Sequence, residues 1–369
     1  MLRHGSYPEI WGRGGYPDSP FQATLRGNVL HGALETVVKA IAAHDCDGHP
    51  GPCNVTVLKA LGGYSAVLQS VLETVLAALE GNPRIAPRLG SIRRALTLEL
   101  PELRRGLQAT IARSEIVARG PGRMPSGEHR PLGVGSHAEV ELRVPSMGWI
   151  GKADRITIDS DICRITDYKT GAPQESHEEQ LRIYALLWAR DGAVNPSRRI
   201  ATELVASYPA HEELFPAPSR DELDLLEADL RARSAAALAS IAARPPLARP
   251  ETAYCSHCPV RQLCDSYWEH LRNSPLSGSG SPADRPTDVE LTVSGRNGPR
   301  SWLGVVRSGF GLPPESGVVL RSHHDGDAYR VGATMRVLNV SVERDETEGF
   351  VFVTTSDYSE VFPLRAPSG

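Results

Sequence analysis

Two aspartates and a lysine carry the strongest chemical pattern in this 369-residue sequence. Gly-Lys-Ala-Asp-Arg-Ile at 151–156 and Ile-Thr-Asp-Tyr-Lys-Thr-Gly at 165–171 both alternate apolar and polar residues, as strands do. Side chains two apart on a strand leave from one face, so Asp167 and Lys169 project together, and a hairpin through Asp159-Ser160-Asp161 brings Asp154 alongside them. Two converging carboxylates repel each other unless a cation sits between them, and oxygen ligands suit Mg2+ or Mn2+. Such a cation polarises a phosphoryl oxygen and lowers the pKa of a bound water. Lys169 can then position that water, help deprotonate it, or offset charge on a pentavalent transition state. His31 would complete the ligand set. Gln180 and Tyr184, four residues apart on one predicted helix, share a face that reaches the same cleft.

A second chemical cluster lies further on. Of six cysteines (Cys46, Cys53, Cys163, Cys255, Cys258 and Cys264), the last three stand as C-x2-C-x5-C. In a reducing cytosol such spacing points to metal ligation rather than to disulfides. A zinc site of the Cys3His type, completed by His257, is one form it can take. Cys163 is expected to be a strand-packing residue.

Elements of several kinds must position these groups. Leu30, Leu34, Val37, Val38 and Ile41 recur at helical spacing between about Phe21 and His44, predicting one amphipathic helix with His31 near its start. Residues 55–118 continue in helical patterns broken at Gly81-Asn82-Pro83 and Gly90, and form a helical insertion. Three strands are predicted across 137–169, a helix at 178–189, a strand within Ala201–Tyr208 and another helix at about 220–241, a mixed α/β core. Asn273–Thr287 is rich in Ser, Gly and Pro and predicts a linker. Beyond it, runs such as DVELTVSG, SWLGVVRSG and GFVFVTTSDYSEVFPL predict a small all-β barrel of about five strands, OB or SH3-like. The expected domains are therefore 1–272, with the insertion at 55–118 and the cysteines at 255–264, a linker at 273–287, and the barrel at 288–369.

The motifs together resemble the RecB-like branch of the PD-(D/E)XK nucleases, which includes the nuclease domains of RecB and AddB and CRISPR-associated RecB-like exonucleases. RGNVLHGALE at 26–35 resembles the histidine-bearing first motif and HAEVEL at 137–142 the acidic strand. GKADRI resembles the second motif, TDYKTG the third, and QLRIY at 180–184 the Gln-Xaa3-Tyr motif, in the family's order. The resemblance implies a restriction-endonuclease-like α/β core in which His31, Asp154 and Asp167 bind metal, Tyr168 adds its backbone carbonyl and Lys169 is the catalytic lysine. Gln180 and Tyr184 would contact substrate or orient the lysine, with Glu139 a weaker substrate-site candidate. It further implies a 4Fe-4S iron–sulfur cluster at Cys255, Cys258 and Cys264. In those relatives the fourth cysteine precedes the first-motif histidine, and here none does. A cysteine upstream of this start, Cys46 or Cys53, or His4 would stand in.

The implied activity is that of a Mg2+- or Mn2+-dependent deoxyribonuclease, an exonuclease or flap-type enzyme acting on single-stranded DNA or free ends in repair, recombination or defence. The other class of reading is a catalytically silent scaffold that keeps the fold and only binds nucleic acid or a partner. No Walker-type phosphate loop is present, so unwinding would fall to a helicase or other repair or defence protein. Net charge is −4, so nucleic acid must be held by a local basic cleft and not by the field of the whole chain. In the barrel, Trp302, Phe310, Tyr329 and Arg321 are candidates for base stacking, unless the aromatics form its core and the domain docks a protein. No apolar run is long enough to span a bilayer and the start lacks a signal-peptide run, so a cytoplasmic address with no membrane contact is expected.

Overall fold

The computed structural model describes residues 16–44, 51–114, 116, 129–243, 247–273, 287–309, 311–323, 329–345 and 349–364. Contacts divide the chain into two compact units, one formed by 20–81 with 93–236 and the other by 1–19, 82–92 and 237–369. No single described helix is long and apolar enough to cross a membrane.

The first unit is built on a five-stranded sheet in the order β1-β2-β3-β4-β5. Its strands are β1 (Gly135–Val144), β2 (Trp149–Ile158), β3 (Cys163–Tyr168), β4 (Glu203–Ser207) and β5 (Glu212–Pro216). The first three form an antiparallel meander, with Asp159 N–H donating to Ile162 O at 2.8 Å in the expected turn. β4 then lies parallel to β3, and such a pairing needs a crossover. Helix α5 (Glu175–Arg190) supplies it, with Glu175 and Glu178 favourably placed in its first turn and Arg190 in its last. Leu181, Ala185, Leu186, Leu187 and Trp188 of α5 pack into the core formed by Leu142, Ala153, Ile156, Ile165 and Leu204. Each leucine or isoleucine among them, fully buried, contributes roughly 1.5–3 kcal/mol.

Ahead of the sheet come α1 (Gln22–Ala43), α2 (Pro52–Ala60), α3 (Gly63–Leu79) and α4 (Leu89–Arg113); α6 (Arg220–Ala242) follows β5. The expected bounds hold, but His31 lies more than two turns into α1 and not near its start. Beside it, Gly32 faces α3 so closely that an added Cβ would lie 2.7 Å from Val71 Cγ1. A side chain there would push the two helices apart.

The second unit contains the barrel: β6 (Thr287–Gly298), β7 (Ser301–Gly309), β8 (Gly317–Arg321), β9 (Thr334–Arg344), β10 (Val351–Thr354) and β11 (Glu360–Pro363). Five strands close in the order β6-β7-β8-β10-β9 and back to β6, with β8 and β10 parallel, and β11 adds on β9. Three register shifts along the β6–β7 pair supply the bend that closure needs. The last predicted strand is two strands, split by the Ser356–Ser359 turn. Residues 274–286 of the expected linker lie outside the described residues.

Short helices α7 (Thr252–Cys255) and α8 (Asp265–Asn273) belong to this unit and are tied to the barrel by buried charge. Arg261 pairs with Asp288 and donates to Asn339 Oδ1 at 2.8 Å, while Arg336 pairs with Glu290 and donates to Gln262 O at 2.7 Å. Arg84, in the stretch between α3 and α4, donates to both carboxylate oxygens of Glu360, at 2.9 and 2.7 Å. Trp302 and Tyr329 are 1% and 7% exposed, with ring centroids 4.6 Å apart. They are core residues and not an exposed stacking surface. Arg321 is exposed and stacks on Phe352 at 3.7 Å, while Phe310 lies outside the described residues.

Candidate active site

Strand alternation and one helix face bring the predicted side chains of the first unit together. Asp154 on β2 accepts a hydrogen bond from Tyr168 N–H at 2.6 Å through Oδ2, and its Oδ1 lies 3.3 Å from His31 Nδ1. Asp167, at the end of β3, is 3% exposed and forms an ion pair with Lys169. Lys169 Nζ also donates to Gln180 Oε1 at 2.6 Å, and Gln180 Nε2 donates to Tyr184 Oη at 2.9 Å. The i, i+4 spacing on α5 thus becomes a relay of two hydrogen bonds from Tyr184 to the lysine.

The electrostatics follow from crowding acids into a half-buried cleft. Burial, and then the charge of Asp154, push the Asp167 carboxyl up to about 6 against the pull of Lys169. Burial disfavours the His31 imidazolium, yet the hydrogen bond and charge of Asp154, with Asp167 and Glu139 behind, hold its pKa above the ordinary value. Burial pushes the Tyr184 hydroxyl up to about 12, so it keeps its proton. The donors are two carboxylates and an imidazole, in a place where the carboxylates repel each other. That set fits a hard divalent cation. Among the described residues, no three or more His, Cys, Asp or Glu side chains are already arranged around a common point.

Glu139 joins the group by an unexpected route. The β1–β2 register runs Ala138↔Arg155 and then Val140↔Ala153, leaving Glu139 opposite Asp154, and Glu139 has φ +56°, in the left-handed region. Its carboxylate pairs with Lys152. Together they line a cleft of about 360 Å³ with Gly27, Asn28, His31, Glu35 and Asp154. Glu35 and Lys152 were missed in the sequence, although each had a signal. Glu35 is four residues after His31 on a helix, and Lys152 is two before Asp154 on a strand.

A model of the PD-(D/E)XK nuclease superfamily matches residues 4–265. The chain belongs to the PD-(D/E)XK nuclease superfamily. Members are typically nucleases and usually use divalent metals such as Mg2+. Among solved structures, a murine DNA binding protein bound with ds DNA aligns at 7% identity over 63% of this PD-(D/E)XK chain and 96% of that one, with a TM-score of 0.19. No curated protein sequence matches it.

The cysteine trio of this nuclease-family chain lies in the other unit. Cys255 ends α7, Cys264 precedes α8, and all three thiols are half-buried and free. Cys255 and Cys264 pack against Tyr267, Trp268 and Leu271. Burial raises the thiol pKa of both. Of the expected fourth ligands, His4 and Cys46 lie outside the described residues and Cys53 is disulfide-bonded. Cys163 is fully buried in the sheet core.

Proposed function

We propose that this chain is a metal-dependent deoxyribonuclease of the RecB-like kind, its activity carried by residues 1–272. The observation that carries the reading is a pair of bonded groups, His31–Asp154 and Asp167–Lys169–Gln180–Tyr184, close enough that the charges of Asp154 and His31 act on Asp167. In this reading His31, Asp154, Asp167 and the Tyr168 carbonyl would hold Mg2+ or Mn2+, which would supply polarisation of the scissile phosphate and a lowered pKa for the attacking water. Water attacks phosphorus and the bond to the leaving oxygen breaks. Lys169, steadied by Asp167 and Gln180, offsets the negative charge that develops on the phosphoryl oxygens. Tyr184 keeps its hydroxyl proton and holds Gln180, so the lysine is aimed before substrate arrives. Glu139 and Lys152 line the approach.

The substrate we infer is DNA with single-stranded or free ends, delivered by a helicase or other repair or defence protein. The barrel supports this reading. We read its closed five-stranded order, with the third and fifth strands parallel, as a barrel of the OB kind, which would bind the strand through its polar surface since Trp302 and Tyr329 lie in its core. The test is digestion of labelled linear single-stranded, linear duplex and circular single-stranded DNA with Mg2+ or Mn2+, beside Asp167→Ala and Lys169→Ala. Wild type is expected to degrade linear single strands and spare circles, and both variants to be inactive. Equal behaviour of wild type and variants overturns the reading.

A further inference from the structure

Behind the two carboxylates stands a buried positive charge that the proposed reaction does not use. Arg155 follows Asp154 on β2 and faces Thr166, the neighbour of Asp167, across the β2–β3 ladder. It is 2% exposed, a rare state for a guanidinium unless it is paired. Among the described residues it has no carboxylate partner. Arg155 Nη2 makes one long hydrogen bond, 3.4 Å to Thr166 Oγ1, and Nε and Nη1 have no hydrogen-bond partner among the described residues. Its close neighbour is an aromatic ring. The guanidinium carbon lies 5.6 Å from the centroid of Tyr168, in the range of a desolvated cation–π contact.

Tyr168 links this charge to the site. Its backbone N–H orients Asp154, and its ring meets His31 edge-on, with centroids 6.5 Å apart and planes at 88°. One tyrosine therefore touches two of the groups assigned to the cation, and Arg155 grips that tyrosine. Packing alone would be served as well by an apolar side chain of similar volume, because removing a buried charge is often neutral or stabilising.

We propose that Arg155 is a positioning residue for the divalent cation, its buried charge fixing the Tyr168 ring and through that residue Asp154 and His31. This rests on the metal-dependent reading above. It acts through Tyr168 and touches neither substrate nor metal.

The test is Mn2+ binding by the full chain, read from the electron paramagnetic resonance of free Mn2+, for wild type, Arg155→Met, Arg155→Gln and Arg155→Lys. Unfolding in EDTA reports the fold. Loss of the charge is expected to weaken Mn2+ binding by about tenfold or more, as for other groups that orient metal ligands. Arg155→Lys should recover part of that loss, and saturating Mn2+ should restore DNA cleavage to the folded variants. Wild-type affinity in a folded Met or Gln variant overturns the proposal. So does a Lys variant as weak as the Met variant. Should Arg155→Met fail to unfold cooperatively, the Gln and Lys pair decides by the same criteria. Absence of Mn2+ binding by wild type overturns the metal-dependent reading itself, a result distinct from any difference among the variants.

Discussion

Gly151 opens the second motif, and its lack of a side chain has a measurable consequence. A Cβ built there would lie 2.5 Å from Leu187 Cδ1 and 3.3 Å from Tyr184 Cε1. Carbon atoms rest about 3.5–4.0 Å apart, so Gly151→Ala forces a shift of roughly 1 Å in one or both neighbours. Leu187 is 1% exposed and packed on all sides, so it yields poorly. Overpacking of this kind costs about 1–3 kcal/mol, offset by about 0.4–1 kcal/mol from the stiffer unfolded chain, a net loss of up to about 2.6 kcal/mol and centred near 1.3 kcal/mol. Tyr184 holds Gln180, which holds Lys169, so the displacement also reaches the lysine. A misplacement of about 1 Å costs on the order of 100-fold in rate. Urea unfolding and single-turnover cleavage measure the two effects separately. Leu187→Ala alone should cost about 2–5 kcal/mol, and the double variant less than the sum, because the new methyl occupies part of the cavity. A folded Gly151→Ala variant that cleaves within about twofold of wild type, with additive energetics in the double variant, refutes the steric argument and the relay together.

Three further outcomes are expected. Glu360→Ala leaves Arg84 and Arg88 buried without their carboxylate and should destabilise the second unit by about 3–5 kcal/mol in denaturant unfolding; a loss well under 1 kcal/mol refutes the pairing. Burial pushes the Cys163 thiol up to about 11, so at pH 8 it is protonated and enclosed. Iodoacetamide should then label the half-exposed Cys255, Cys258 and Cys264 but leave Cys163 unmodified until denaturant is added, as mass spectrometry of peptides will show. Glu315 is exposed at φ +64°, so Glu315→Gly should raise stability by about 1 kcal/mol despite the loss of its surface pair with Arg307, read from the thermal midpoint.

What the sequence revealed is what local periodicity encodes. The strands at 137–169, helices α5 and α6 and the barrel strands announce themselves because each must present an apolar face, and that face fixes the period. The same rule set Asp167 with Lys169 and Gln180 with Tyr184. Contacts far apart in sequence had no such marker. Gly81-Asn82-Pro83 reads only as a break between helices, yet it delivers Arg84 to Glu360, 276 residues away. Residues 237–273 pack with the barrel through Arg261, whose partner Asp288 lies beyond the Ser-Gly-Pro stretch, and through Gln262 and Asp265, which Arg336 of the barrel holds from beyond it. Strand β5 escaped because Glu-Glu-Leu-Phe-Pro is a short edge strand with Leu214 exposed, so burial imposed no alternation on it.

Glu139 marks the limit of that rule inside the site itself. Regular alternation makes Glu139 a solvent-facing strand residue, since Ala138 and Val140 on either side are buried. Its left-handed backbone costs about 1–3 kcal/mol for a residue with a Cβ, and such strain persists only where surrounding contacts hold it. Those contacts are the continuous ladder on both sides, from Ala138↔Arg155 to Val140↔Ala153, and the ion pair with Lys152. The register sets the carboxylate beside Asp154, where burial raises its pKa and Asp154 adds to the effect. A third acid is thereby brought to a site where two already repel each other. Such crowding is stable only with positive charge close at hand, and Lys152 on β2, beside Glu139, and Lys169 at the end of β3, beside Asp167, provide it.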